Sequence, residues 1–253
     1  MTYGHQIIKQ VQNPCKEASE VKYGQCPPFW AGSNHKWKII MSAPHSATQT
    51  EYYFYEPQRG HGLPHDPFKA IVGPRPIGWI SSLDAQGIVN LAPYSFYNAL
   101  CDTPPIVGFS STGFKDSVRN IAATGEFVAN FVSKPLAAAM NLTSAGVPAE
   151  VDELALAGLT AAPCRFVAAP RVAEAPAALE CRLLQIVQLH DVTGRTLEQY
   201  LVLGQVVGVH IATRFLKDGI FDTAAAQPLL RAGYRGDYAE IGSMFEMLRP
   251  NLP

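Results

Sequence analysis

Residues 71–98 run IVGPRPIGWISSLDAQGIVNLAPYSFYN, and this stretch restricts the chain to folds that accept a tight antiparallel hairpin. Ile77, Trp79 and Ile80 are β-branched or aromatic, the residue types that suit a pleated, buried strand. Asp84-Ala85-Gln86-Gly87 is a turn cluster in which Gly87 can take a positive φ. Ile88, Val89 and Leu91 predict the returning strand. Ala92-Pro93-Tyr94-Ser95-Phe96-Tyr97-Asn98 follows, small and aromatic residues without a charged side chain. It is expected to be a loop that brings backbone N–H groups up to a flat ligand.

Further along, residues 105–109 predict a short apolar strand, bounded by Ser110-Ser111-Thr112-Gly113. Residues 115–124 predict a helix capped by Asp116 or Ser117, with Val118, Ile121 and Ala122 on one face and Gly125 as its stop. Residues 126–132 alternate as a strand, and 135–141 and 151–157 are short helical segments. Residues 177–190 and 200–212 are long strands joined by a turn at 191–195, and 164–167 is a further candidate strand. The run 201–211 is nearly continuously apolar, which predicts cover on both faces, with Gly204 and Gly208 marking bends. Residues 241–248 form a short amphipathic segment. Many strands, few helices and no repeating βαβ unit indicate a mainly β protein, an antiparallel, closed or partly closed barrel with peripheral helices.

Composition narrows the function. A chain of 253 residues that is 47% apolar and 16% charged buries a full core. Its net charge of −1 offers no general attraction to nucleic acid or to an acidic membrane. No apolar run is long enough to cross a bilayer, and the first ten residues lack the apolar core of a secretory signal. The cytoplasm is the expected location. The five cysteines are scattered, with neither a disulfide framework nor a CxxC pattern, and Cys101 and Cys181 are expected to be buried thiols. Residues 1–50 lack a sustained period and are expected to be an irregular extension, with Met41 a second candidate start, ahead of a folded unit over 51–253. His61, His65 and Asp66 lie among Gly and Pro, which breaks the helical spacing of a metal site and indicates a rigid surface loop.

No G-x-S-x-G elbow, Walker A loop, H-E-x-x-H or G-x-G-x-x-G is present. A chain without its own nucleophile or metal can still act by holding a cofactor. Three segments have the makings of an anion-and-ring site. They are Trp79-Ile80-Ser81-Ser82, Ser110-Ser111-Thr112-Gly113 ahead of Lys115, and residues 92–98. Each also has a plainer role: serine-rich turns cap helices, and Trp79 and Phe96 suit a core.

The ordered set Gly73-Pro74-Arg75-Pro76-Ile77-Gly78-Trp79-Ile80-Ser81-Ser82, Val89-Asn90-Leu91-Ala92-Pro93-Tyr94-Ser95-Phe96, Pro104-Pro105-Ile106-Val107-Gly108-Phe109-Ser110 and Lys115-Asp116-Ser117 with Asn120 resembles the flavin reductase-like, FMN-binding split-barrel family. Leu179-Glu180-Cys181, Gly204-Gln205-Val206-Val207-Gly208 and Asp218-Gly219 fit the same pattern. The resemblance covers residue 52 onward and implies a split β-barrel, Greek-key-like, that pairs as a homodimer with FMN in a groove at the interface. By that resemblance Trp79, Ile80, Ser81, Ser82, Ser110, Ser111, Lys115 and Ser117 surround the phosphate and ribityl chain. Ala92, Pro93, Tyr94, Ser95 and Phe96 line the isoalloxazine, and Asn98 supports that loop. Arg75 is either a phosphate ligand or a structural hydrogen-bond donor at the barrel rim, and Arg231-Ala232-Gly233-Tyr234 resembles a segment that reaches a neighbouring flavin.

The activity so implied is NAD(P)H:flavin oxidoreduction with FMN, or alternatively FAD, by hydride transfer to flavin N5. The partners implied are a nicotinamide nucleotide and, for a two-component system, a flavin-dependent oxygenase. An FMN-bound electron-transfer protein and a non-catalytic flavin- or haem-binding module remain the alternatives. In each the protein's task is positioning, so no catalytic acid–base pair is expected.

Overall fold

In the hairpin, Gly87 sits at φ +84° and the turn places Trp79 opposite Pro93 and Ile80 opposite Ala92. The computed structural model describes residues 51–250, so the expectations for the first 50 residues, including Cys15 and Cys26, lie outside the described residues. The elements used below are β1 (Arg75–Pro76), β2 (Gly78–Leu83), β3 (Val89–Tyr94), β4 (Tyr97–Asp102), β5 (Pro105–Thr112), α1 (Asp116–Thr124), β6 (Glu126–Phe131), α2 (Ala137–Leu142), α3 (Glu153–Leu156), β7 (Ala177–His190), β8 (Thr196–Ile211), β9 (Leu229–Arg231) and β10 (Tyr238–Glu240).

Seven strands form one antiparallel sheet in the order β3-β2-β6-β7-β8-β5-β4. Its two edge strands, β3 and β4, are consecutive in the chain and joined only by Ser95 and Phe96. Three peptide steps span at most about 11 Å, so the edges of a seven-stranded sheet must meet at this point. The sheet therefore curls into a barrel split along the seam between β3 and β4. Aromatic residues fill the seam: the Tyr94 and Phe109 ring centroids are 4.5 Å apart. Tyr97 lies on Gly78, where a β-carbon would come within 2.5 Å of its ring. The fold is mainly β, a split barrel with few helices, as the strand-rich pattern predicts.

The period of two decides which side each strand buries. Ile80 faces the interior with Val107, Phe109, Phe127, Ala129, Cys181, Val202 and Val206, and α1 adds Val118 and Ile121. Trp79 faces the other way, into a second cluster with Leu91, Val132, Met140 of α2 and Leu154 of α3. A separate three-stranded sheet, β1-β9-β10, brings the C-terminal region beside β1.

Several local expectations change. Residues 92–98 are not a loop: β3 runs to Tyr94, β4 starts at Tyr97, and β5 continues through Ser110, Ser111 and Thr112. β3 is an edge strand, where a proline such as Pro93 can sit without breaking a ladder. Helix α1 begins after Lys115 without a side-chain cap from Asp116 or Ser117, although Gly125 does end it at φ +72°. Residues 164–167 form no strand, and 241–248 have no regular structure. Cys181 is buried, but Cys101 is exposed on edge strand β4. In β8, Val202, Gly204 and Val206 face inward, while on the other face Val207 packs against the cluster of Val128 and Val167 and Val209 is 59% exposed, so that face is covered by this chain only in part. The bends expected at Gly204 and Gly208 are present as register shifts against β7.

Candidate functional site

Two open cavities share the wall formed by Pro93 and Ser144. The first, about 340 Å³, lies between β3 (Asn90, Ala92, Pro93, Tyr94), the start of α1 (Lys115, Asp116, Ser117), the segment 143–147 and Glu153 of α3. The second, about 480 Å³, is bounded by Ile77, Ser95, Met140, Asn141, Arg231, Arg235, Gly236 and Tyr238.

Of the residues proposed from the sequence, the first cavity brings together Ala92, Pro93, Tyr94, Lys115 and Ser117, and the second adds Ser95. Among the described residues Lys115 makes no ion pair and no side-chain hydrogen bond, so its ammonium is uncommitted. Ser117 Oγ accepts from Asn90 Nδ2 at 2.8 Å. Burial pushes the Tyr94 phenol up in pKa, opposed by hydrogen bonds with Ser117 and Ser111, so it stays a neutral part of the wall. Because β3 is an edge, every second N–H and C=O along it faces away from β2. On that free side the Leu91 N–H is taken by Glu153 and Pro93 has none, so β3 offers the cavity carbonyl acceptors beside small side chains.

The remaining residues lie outside the lining of these two cavities. Trp79, Ile80, Ser81 and Ser82 are fully buried, and residues 78–81 pair with strands on both sides, so their N–H groups belong to ladders. Trp79 Nε1 donates to Thr143 Oγ1 at 2.9 Å, Ser81 Oγ to the Pro170 carbonyl, and Ser82 Oγ accepts from Asn120. Ser110 Oγ accepts from Gln199 Nε2 at 2.6 Å, and Ser111 Oγ donates to the Gly113 carbonyl at 3.0 Å. The Asn98 side chain is exposed and accepts the N–H of Ala99. Phe96 lies under the Arg75 guanidinium, 5.4 Å from ring centroid to Cζ. Arg75 itself gives Nε to the Ser95 carbonyl and its other donors to the carbonyls of Lys69, Val72 and Ala232, the structural one of its two expected roles.

Four contributors were not anticipated. Asn90 lies inside the quoted motif and its alternation points it inward. The segment 143–147, Glu153 and Arg235 arrive from parts of the chain that carry no motif. Glu153 Oε2 accepts the Leu91 N–H at 3.1 Å, and burial pushes its pKa up. A separate cluster, Cys164, Glu180 and His210, lines neither cavity, and its Glu180 oxygens accept from three backbone N–H groups.

The donor set suits a flavin: an ammonium and a hydroxyl for a phosphate at one end, and backbone groups with small side chains for a ring at the other. Comparisons with known proteins agree. The model of the flavin reductase like domain matches residues 73–232. An uncharacterised protein of Deinococcus radiodurans is 40% identical over 192 residues, 71% of this chain and 82% of that protein. Nitrilotriacetate monooxygenase component B from Bacillus cereus is similar in structure, with a TM-score of 0.70 and 29% identity over 78% of this chain and all of that one. The 2-nitrobenzoate 2-nitroreductase of Pseudomonas fluorescens gives 0.65 and 27%, over 74% of this chain and 90% of its own. With the match spanning the seven-stranded sheet and the whole lining of the first cavity, the chain belongs to the flavin reductase-like family of split-barrel flavoproteins.

Proposed function

We propose that this protein is an NAD(P)H-dependent flavin reductase that works with FMN and supplies reduced flavin to an oxygenase partner. The observation that carries the reading is the first cavity, where the uncommitted Lys115 ammonium and Ser117 face the neutral edge strand at Ala92, Pro93 and Tyr94. When bound, the flavin supplies the redox chemistry, taking a hydride at N5 from the nicotinamide. Lys115 and Ser117 would hold its phosphate by charge and hydrogen bonding. The outward backbone groups of β3 would orient the ring, and Tyr94, neutral and fixed by Ser111 and Ser117, closes the wall behind it.

No side chain in either cavity has to carry a proton for this reaction, which leaves the protein the task of alignment. The similarity to a monooxygenase component B supports the oxygenase partner. A homodimer is part of the proposal: Leu100, Leu184 and Val209, on strands of the one sheet, are 55%, 50% and 59% exposed, and a second copy would cover them. The folded unit of this proposal begins near residue 51.

Steady-state oxidation of NADH and of NADPH with added FMN tests the activity. Turnover with at least one nucleotide is expected, and no oxidation above background with either would overturn the proposal. Yellow flavin that stays with the protein through purification, without turnover, would favour the electron-transfer alternative.

A further inference from the structure

Two guanidinium groups, Arg231 and Arg235, line the second cavity and a third, Arg75, binds the carbonyl of Ser95 on its wall; none has a carboxylate partner among the described residues. Arg75, buried at the edge of the barrel, spends its donors on four neutral carbonyls. Arg231 donates Nη1 to the Asp237 carbonyl at 2.7 Å and lies over the Tyr238 ring at 4.8 Å. Arg235, on the same cavity wall, has neither a hydrogen bond nor an ion pair among the described residues. Burial first, and then the neighbouring Arg231 charge, push the Arg75 pKa down. The lining contains no Asp or Glu, whereas the first cavity sets Asp116 and Glu153 beside its lysine.

A concentration of positive charge with no carboxylate in the cavity lining favours an anion. Guanidinium forks suit phosphate in particular. The two cavities meet at Pro93 and Ser144, so a ligand whose flat head lies over the first at β3 can carry its tail into the second. We propose that Arg231 and Arg235 form the subsite that receives the phosphate groups of the nicotinamide dinucleotide, with Arg75 adding to the field from behind. This rests on reading the first cavity as the flavin groove.

The test is calorimetric titration of NAD⁺ and of NADP⁺ into the FMN-loaded full chain, beside FMN titration into flavin-free protein. Arg235→Ala is the cleaner variant, since that side chain holds nothing else in place. Arg231→Lys keeps the charge but loses the fork. Arg235→Ala is expected to weaken dinucleotide binding about tenfold with FMN affinity and melting temperature unchanged. Added salt should weaken the unsubstituted protein more than the variant. Equal losses for NAD⁺ and NADP⁺ support the subsite and assign it to the pyrophosphate. Loss for NADP⁺ alone supports it and assigns it to the 2′-phosphate. Unchanged affinity for both, with FMN still bound, overturns it. Failure of the unsubstituted protein to bind FMN would instead overturn the flavin-groove reading.

Discussion

The Glu153 carboxylate accepts the backbone N–H of Leu91 at 3.1 Å, so a buried acid from α3 is fastened to the edge strand that walls the first cavity. Burial raises its pKa above the ordinary 4.5, with Asp116 and Asp152 adding to the shift. The folded state then holds this proton more tightly than the unfolded chain, so the contribution to stability is full below 4.5 and falls as pH rises towards the raised value. Glu153→Gln keeps an acceptor for Leu91 and removes the titration. Melting temperatures followed upward from pH 4.5 should decline less in the variant. Parallel declines would show that Glu153 titrates normally.

Lys115→Ala should weaken FMN binding by about 1.5 kcal/mol or more, because a charge-assisted contact to phosphate is lost. Ser110→Ala should leave it nearly unchanged, since that hydroxyl is engaged by Gln199 on β8. Fluorescence titration of FMN distinguishes the two. Equal losses would return Ser110 to the phosphate site.

Thr143 accepts the Trp79 indole N–H and donates its own hydroxyl to the Met140 carbonyl at 2.8 Å. Thr143→Val leaves the buried indole N–H without a partner, at a cost of about 1–3 kcal/mol in urea unfolding. Since Thr143 opens the segment that lines the first cavity, FMN affinity should drop with it. A variant of full stability would mean that the indole finds another acceptor.

Burial works against the charge of Glu180, yet the N–H groups of Arg165 and Phe166 and the His210 ring hold its pKa below the ordinary value. The sign is opposite to that of Glu153: stability from Glu180 is present above the ordinary value of 4.5 and is lost as pH falls through it towards the depressed one. Glu180→Gln should cost about 3 kcal/mol at neutral pH and flatten the acid limb of the stability profile. Denaturant unfolding at neutral and acid pH measures both.

The parts of this fold that were readable from sequence are those where one local signal and the packing agree. The hairpin at Asp84-Ala85-Gln86-Gly87, the strands β7 and β8, and Gly125 as a helix stop are of this kind. Misreadings arose where tertiary position overrode composition. Pro93 and the small residues around it look like a loop, but an edge strand has no outer ladder for a proline to interrupt. Trp79, Ser81 and Ser82 belong to the recognisable motif, yet β2 is hydrogen-bonded on both sides and turns those side chains into the protein. Glu153 and Arg235 could not be seen at all, because the meeting of Glu153 with Leu91 and of Arg235 with Pro93 and Ser95 depends on how distant segments pack, and no local pattern encodes that.

The two-residue link at Ser95 and Phe96 makes the seam a tether. Its edges are neighbours in the chain, so bringing them together requires almost no loop closure, while β7 and β8 join from far downstream. A backbone cut between Ser95 and Phe96, with the natural ends rejoined elsewhere, would leave every ladder of the sheet in place. The barrel could then spread along its split, and Pro93 and Ser95, which flank that link, would lose their fixed spacing first. The site is thus clasped by a two-residue connection between the two edges of the sheet.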